Sequence, residues 1–297
     1  DAFSRLLIKN IPLVPGDSIF IFDPFQVDSE IFIRRLKTLQ PRLKINCIIR
    51  SWDNLTCKGL LFNHKNFSNF YVWNKHMKKE LLDFYEINVE NIHLTGGVQF
   101  APFNHLKASE PLLDLPKSDY VLFNLAYPYN ARKQMYYLEQ VVEFVEQAEN
   151  LDLVVRVQPG PMSNGVEEEI NRRFENIILS KDTEGSSDNY LQYLALLKNS
   201  IFVLCYPSTS VLDAAYFGVQ AYVIAPAEDE QLSSYLNREH VMTLSNKRGV
   251  VILKTISELA DVFKIKQETS SVSKLQQLFI EMNGGKKCSE TWDIIFN

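Results

Sequence analysis

The stretch Asn199–Ile224, "NSIFVLCYPSTSVLDAAYFGVQAYVI", decides the fold. It opens with an unbroken apolar run, "IFVLCY" (201–206), of strand length. A turn of small hydroxyl residues, Pro207-Ser208-Thr209-Ser210, follows. Residues 209–218 then repeat apolar positions at helical spacing and stop at Gly218, and "QAYVIAP" (220–226) is a second apolar run. Strand, short turn, helix and strand in this order form a βαβ unit, which requires a parallel sheet and a right-handed crossover.

The same alternation extends in both directions. Upstream, "YVLFNLAY" (120–127), "DLVVRVQP" (152–159) and "ENIILSK" (175–181) read as strands. Helices are expected over 131–149, 163–174 and 188–200. Downstream lie a helix over 228–237, short strands at "VMTL" and "GVVIL", helices near 256–265 and 270–282, and the aromatic tail "ETWDIIFN". Nearer the start, "SIFIFDP" (18–24), "KINCIIR" (44–50), "NFYVWN" (69–74) and "NIHLTGG" (91–97) read as strands. Helices fill 28–39, with Asp28 or Ser29 as N-cap, and 75–86. Between the two series, residues 98–119 are proline-dotted and without period, as in a linker. The expectation is an α/β protein of two Rossmann-like αβα domains, 1–103 and 104–297. The first has about four strands and looks incomplete, which fits a chain that opens on Asp1 rather than Met.

Composition narrows the class. The chain has 297 residues, 46% of them hydrophobic and 23% charged, as in an ordinary globular protein of about two domains. A net charge of −5 supplies no global field for nucleic acid. The basic groups Arg34-Arg35-Lys37 and Lys75-Lys78-Lys79 read first as solvated helix faces. The four cysteines have no metal-type spacing, and Cys47 and Cys205 sit inside apolar runs, a reduced, cytoplasmic pattern. No apolar run reaches spanning length. The five histidines lack ligand spacing, and His93 reads as structural. GxSxG, P-loop and GxGxxG signatures do not occur.

Three constellations carry candidate chemistry. First, Ser208, Thr209 and Ser210 precede a helix start, where free N–H groups and the positive dipole end attract an anion. Asp213, one turn in, suits the hydroxyls of a ribose. The same residue types also cap helices, and both readings stand on residue chemistry alone. Second, Arg156 and Gln158 close a strand before Pro-Gly-Pro; Arg156 suits a phosphate or an ion pair. Third, "IRSWDNLTCKG" (49–59) places polar groups and one large aromatic at a strand end, where open α/β sheets bind ligands. Asp53 there is a candidate base or a turn residue, and Trp52 a sugar platform or a wedge.

"SWDNLTCKG", "YVWNKHMKKELLDFYEINVENIHLTGGVQF" and the opening stretch together resemble bacterial surface-polysaccharide glycosyltransferases of the GT-B type. The pattern is similar to the CDP-glycerol glycerophosphotransferase-like and capsule or lipopolysaccharide transferases, over roughly residues 18–226. The resemblance implies two domains facing across a cleft. It implies a nucleotide-activated donor (CMP-, CDP- or UDP-linked) as substrate, no metal or other cofactor, and a glycan or lipid-linked acceptor. Ser208, Thr209 and Ser210 would touch the donor phosphates, with Arg156 and Gln158 nearby. Asp213 would lie near the ribose, and Asp188 and Tyr190 beside the base. Ser51, Trp52, Asp53, Asn54 and Lys58 would face the acceptor, with Asp53 as base. The location implied is the cytoplasm, with peripheral association at the inner face of the membrane. Gln158 stands where many relatives carry histidine, and it cannot move protons. Two rival readings follow: a non-hydrolysing nucleotide-sugar epimerase, which shares the architecture, and a catalytically degenerate scaffold.

Overall fold

The structure is a computed structural model. It describes residues 16–24, 27–50, 55, 64–100, 115–125, 131–148, 150–157, 165–180, 187–230, 250–259, 270–285 and 294–295. The chain divides into two compact units, Asp1–Asn104 with Ile280–Asn297, and His105–Phe279.

The second unit is built on β5 (Asp119–Leu125), β6 (Leu151–Val157), β7 (Ile177–Ser180), β8 (Phe202–Cys205), β9 (Gln220–Ile224) and β10 (Val250–Leu253). All neighbouring pairs are parallel. The strand order is β10-β9-β8-β5-β6-β7. Numbered within the unit and read from the β7 edge, this is 3-2-1-4-5-6, the doubly wound dinucleotide-binding order. Its ligand crevice lies where the order reverses, outside the carboxyl ends of the two central strands. Here those strands are β5 and β8.

Alternation along each strand assigns the two faces. Val121, Phe123, Leu125, Leu153, Val155, Phe202 and Leu204 join one core with Tyr137, Leu138 and Val141 of α3 (Ala131–Glu146) and with Val166 and Ile170 of α4 (Val166–Arg173). The opposite face carries α5 (Ser187–Asn199) and α6 (Ser210–Phe217); Tyr120 donates its hydroxyl to Leu196 O of α5 at 2.6 Å. Burial on both faces explains why these strands read as continuous apolar runs. Gly218 ends α6 at φ 73°, its N–H bonding back to Ala215 O at 3.1 Å, a left-handed position that suits glycine.

The first unit holds a four-stranded parallel sheet in sequential order, β1 (Ser18–Phe22), β2 (Lys44–Ile48), β3 (Asn69–Val72) and β4 (Ile92–Leu94). Helices α1 (Val27–Leu39) and α2 (Lys75–Tyr85) accompany it. Asp28 lies in the first turn of α1 rather than before it, so neither Asp28 nor Ser29 is the cap. Asn74 caps α2, accepting from His76 N at 3.0 Å and Met77 N at 3.2 Å. Two of the basic residues of α1 are engaged locally: Arg34 pairs with Glu30, and Lys37 donates to Leu43 O at 2.7 Å.

Residues 280–297 group with this first unit, although the sequence reading placed them in the second domain. Hydrogen bonds explain the assignment. Asn74 Nδ2 donates to Met282 O, at the end of α7 (Ser270–Met282), and Gly97 N donates to Asn283 Oδ1 at 2.7 Å. Such pairings between distant positions leave no trace in local periodicity.

Candidate functional site

The site is assembled at the reversal point of the second sheet. Register places Cys205 of β8 beside Asn124 of β5, Asn124 beside Arg156 of β6, and Arg156 beside Ser180 of β7. Partners in register point to one face, here the face that carries α5 and α6. Three adjacent strands therefore present an Asn–Arg–Ser row near their carboxyl ends. Asn124 is 2% exposed, yet neither its Oδ1 nor its Nδ2 has a hydrogen-bond partner among the described residues. The buried Ser180 Oγ is in the same condition. An unsatisfied buried polar group costs about 1–3 kcal/mol, so two of them flanking Arg156 in one row call for a functional explanation.

Over this row runs the segment that decided the fold. After β8 the chain passes through Pro207–Thr209 and enters α6 at Ser210. Thr209 is the N-cap, but its side chain makes no capping bond among the described residues. Ser208 Oγ is buried and also lacks a partner among them. The reading in which Ser208 and Thr209 serve only as side-chain caps is thus not what the geometry displays. Val211 N and Leu212 N are bonded to Ser208 O at 3.2 Å and Thr209 O at 2.8 Å, so what the helix start keeps for another acceptor is its positive dipole end and the Ser208 hydroxyl.

Asp213, in the first turn of α6, is buried. Tyr193 of α5 donates its hydroxyl to Asp213 Oδ2 at 2.9 Å and also engages Ser210. The Arg156 guanidinium stacks on the Tyr193 ring, 4.2 Å from its centroid. Burial pushes the Asp213 carboxyl up to about 7, against the opposing pull of the Tyr193 hydroxyl and the Arg156 charge. Burial, with the Asp213 charge adding to it, raises the neighbouring Cys205 thiol.

Of the sequence candidates, Arg156, Ser208, Thr209, Ser210 and Asp213 gather at one end of one sheet. Asp188 and Tyr190 lie in the first turn of α5. Gln158 and the acceptor-side set Ser51, Trp52, Asp53, Asn54 and Lys58 lie outside the described residues. Asn124, Ser180 and Tyr193 were missed. Asn124 had a signal, as the one amide inside the apolar run "YVLFNLAY". His93 is a structural residue by its contacts: it stacks on Tyr71 at 5.0 Å, meets Asn69 Oδ1 at 3.3 Å, and burial lowers its pKa. Among the described residues no group of three or more His, Cys, Asp or Glu could hold a metal ion, and no helix is long and apolar enough to cross a membrane.

No family model matches the sequence, and no curated protein matches it. Solved structures do share the fold. The UDP-GlcNAc 2-epimerase of Methanocaldococcus jannaschii, in complex with UDP-GlcNAc and UDP, matches at TM-score 0.61 and 12% identity, over 93% of this chain and 78% of that one. S. aureus MnaA with UDP matches at TM-score 0.63 and 13% identity, over 97% and 74%. Accessory secretory proteins 1, 2 and 3 of Streptococcus pneumoniae match at TM-score 0.52 and 12% identity, over 99% of this chain and 55% of that one. At such identities the likeness defines the fold: this is an α/β protein of the GT-B-like type with two Rossmann-like units.

Proposed function

We propose that this chain binds a nucleotide sugar, seating the diphosphate on the amide-lined start of α6. The observation that carries the reading is the buried Ser208 Oγ, without a partner among the described residues, at the positive end of α6 and at the reversal point of a dinucleotide-type sheet. In this reading amides, hydroxyls and Arg156 take the phosphate charge. Asp188 and Tyr190 lie on the base side, and Asp213 lies buried in the turn beneath the phosphate seat. The fold neighbours that hold UDP or UDP-GlcNAc support the choice of a uridine nucleotide.

Between the two chemistries, epimerisation of the nucleotide sugar is better supported than transfer. Several epimerase structures align with 93% or more of this chain. The transfer reading, to a glycan or lipid-linked acceptor as in CDP-glycerol-type enzymes, rests on the "SWDNLTCKG" resemblance. Asp53 is the proposed base in the transfer reading, where it takes a proton from an acceptor hydroxyl. Incubation with UDP-GlcNAc alone separates them. Epimerisation yields the 2-epimer without any acceptor; a transferase leaves the sugar nucleotide intact until an acceptor is added. A protein that binds UDP-GlcNAc and never consumes it, with or without acceptors, is the degenerate scaffold.

A further inference from the structure

We infer that Tyr193 is a positioning residue of the nucleotide site: its ring carries the Arg156 guanidinium and its hydroxyl fixes Asp213 beneath the start of α6. The inference rests on the nucleotide-binding reading above and adds a residue to it. Tyr193 is 2% exposed, so it acts through its two neighbours and not by touching ligand. Its ring lies 4.2 Å from the Arg156 guanidinium carbon, and its hydroxyl oxygen 2.9 Å from Asp213 Oδ2. One side chain therefore ties the cation of β6 to the carboxylate of α6. Stacking of this type fixes the plane and direction of an arginine's guanidinium.

A consequence for ligand binding follows. The Asp213 carboxyl lies in the same helical turn that would receive the diphosphate. When ionised it opposes that anion; when protonated it does not. The groups facing it are Tyr193 from α5, Arg156 from β6 and Cys205 from β8. On that face β9 contributes only Ala221 and Val223, by register with Val203 and Cys205. The Tyr193 hydroxyl favours the ionised carboxyl, because it donates a hydrogen bond to it. Its removal shifts the titration of Asp213 to higher pH, while the retained ring continues to support Arg156.

The test is titration of UDP-GlcNAc into the parent protein, Tyr193→Phe and Tyr193→Leu from pH 5.5 to 8.5. Its two phosphates each keep one charge over this range, so the ligand adds no slope. The parent is expected to lose about fivefold in affinity as Asp213 ionises around neutrality. Tyr193→Phe is expected to match the parent at low pH and to undergo that loss at higher pH. Tyr193→Leu, which lacks the hydroxyl too and has no platform for Arg156, is expected to bind about tenfold more weakly than Tyr193→Phe across the range. A Tyr193→Phe profile that coincides with the parent's, or a parent affinity independent of pH, overturns the inference and leaves the site reading standing. Absence of binding by the parent at every pH overturns both.

Discussion

Tyr193 donates to Asp213 across 2.9 Å in the interior of the second unit, yet the carboxyl it serves titrates near 7, because burial outweighs both the hydroxyl and Arg156. Compared with a usual value of 3.8, the folded chain holds a proton that the unfolded chain releases. The stability contributed by Asp213 is thus fully present below about pH 4 and is lost as pH rises to about 7, by at most about 1.4 kcal/mol per unit of that interval. Asp213→Asn keeps an acceptor for Tyr193 and removes the titration. Thermal unfolding of both proteins from pH 4 to 8 is expected to favour the variant increasingly up to pH 7 and to level off above it. Parallel curves would place Asp213 in a wetter, unshifted environment.

Asn124 tests whether the polar row is kept for function. Its amide is buried without a partner among the described residues, so it opposes folding and does not support it. Asn124→Leu, which has the same branching and number of heavy atoms, is expected to be as stable as the parent or about 1 kcal/mol more so in urea unfolding. A loss of 2 kcal/mol or more would mean that the amide is satisfied in the folded protein.

Gly284 tests the placement of the segment that follows α7. A Cβ at this position would lie 2.3 Å from the carbonyl oxygen of Trp73, and its φ is +68°. Backbone cannot yield as a flexible side chain would. Gly284→Ala is expected to destabilise the first unit by about 2 kcal/mol or more. Gly285→Ala is the control, since nothing lies within 4 Å of its Cβ and it shares the left-handed strain. Equal losses in the two variants would contradict the close approach to Trp73.

How much of this was legible in the sequence depends on the range of the forces. The strands of the second unit follow from apolar runs such as "YVLFNL" and "IFVLC", whose burial on both faces is a local signal. The proposed phosphate seat at the start of α6 follows from Ser208–Ser210 between an apolar strand and an apolar helix. Strand order does not follow from local pattern: β6 between β5 and β7 brings Asn124, Arg156 and Ser180 abreast, and β8 on the other side of β5 sets Cys205 beside Asn124. Tyr193 was hidden for the same reason. On the sequence it is one more aromatic on a helix, and its partners lie 37 residues before it and 20 after it, at Arg156 and Asp213. The grouping of residues 280–297 with the first unit depends on single hydrogen bonds at Asn74 and Gly97, which composition does not announce.

The most direct measurement is calorimetric titration of UDP into the parent protein and into Ser208→Ala/Ser210→Ala, with circular dichroism to confirm that both fold. If the start of α6 is the diphosphate seat, the parent binds UDP more tightly than uridine, and the double variant loses about tenfold or more in UDP affinity while its weak affinity for uridine persists. Equal UDP affinity in the two proteins, or no UDP binding by the folded parent, would contradict the account.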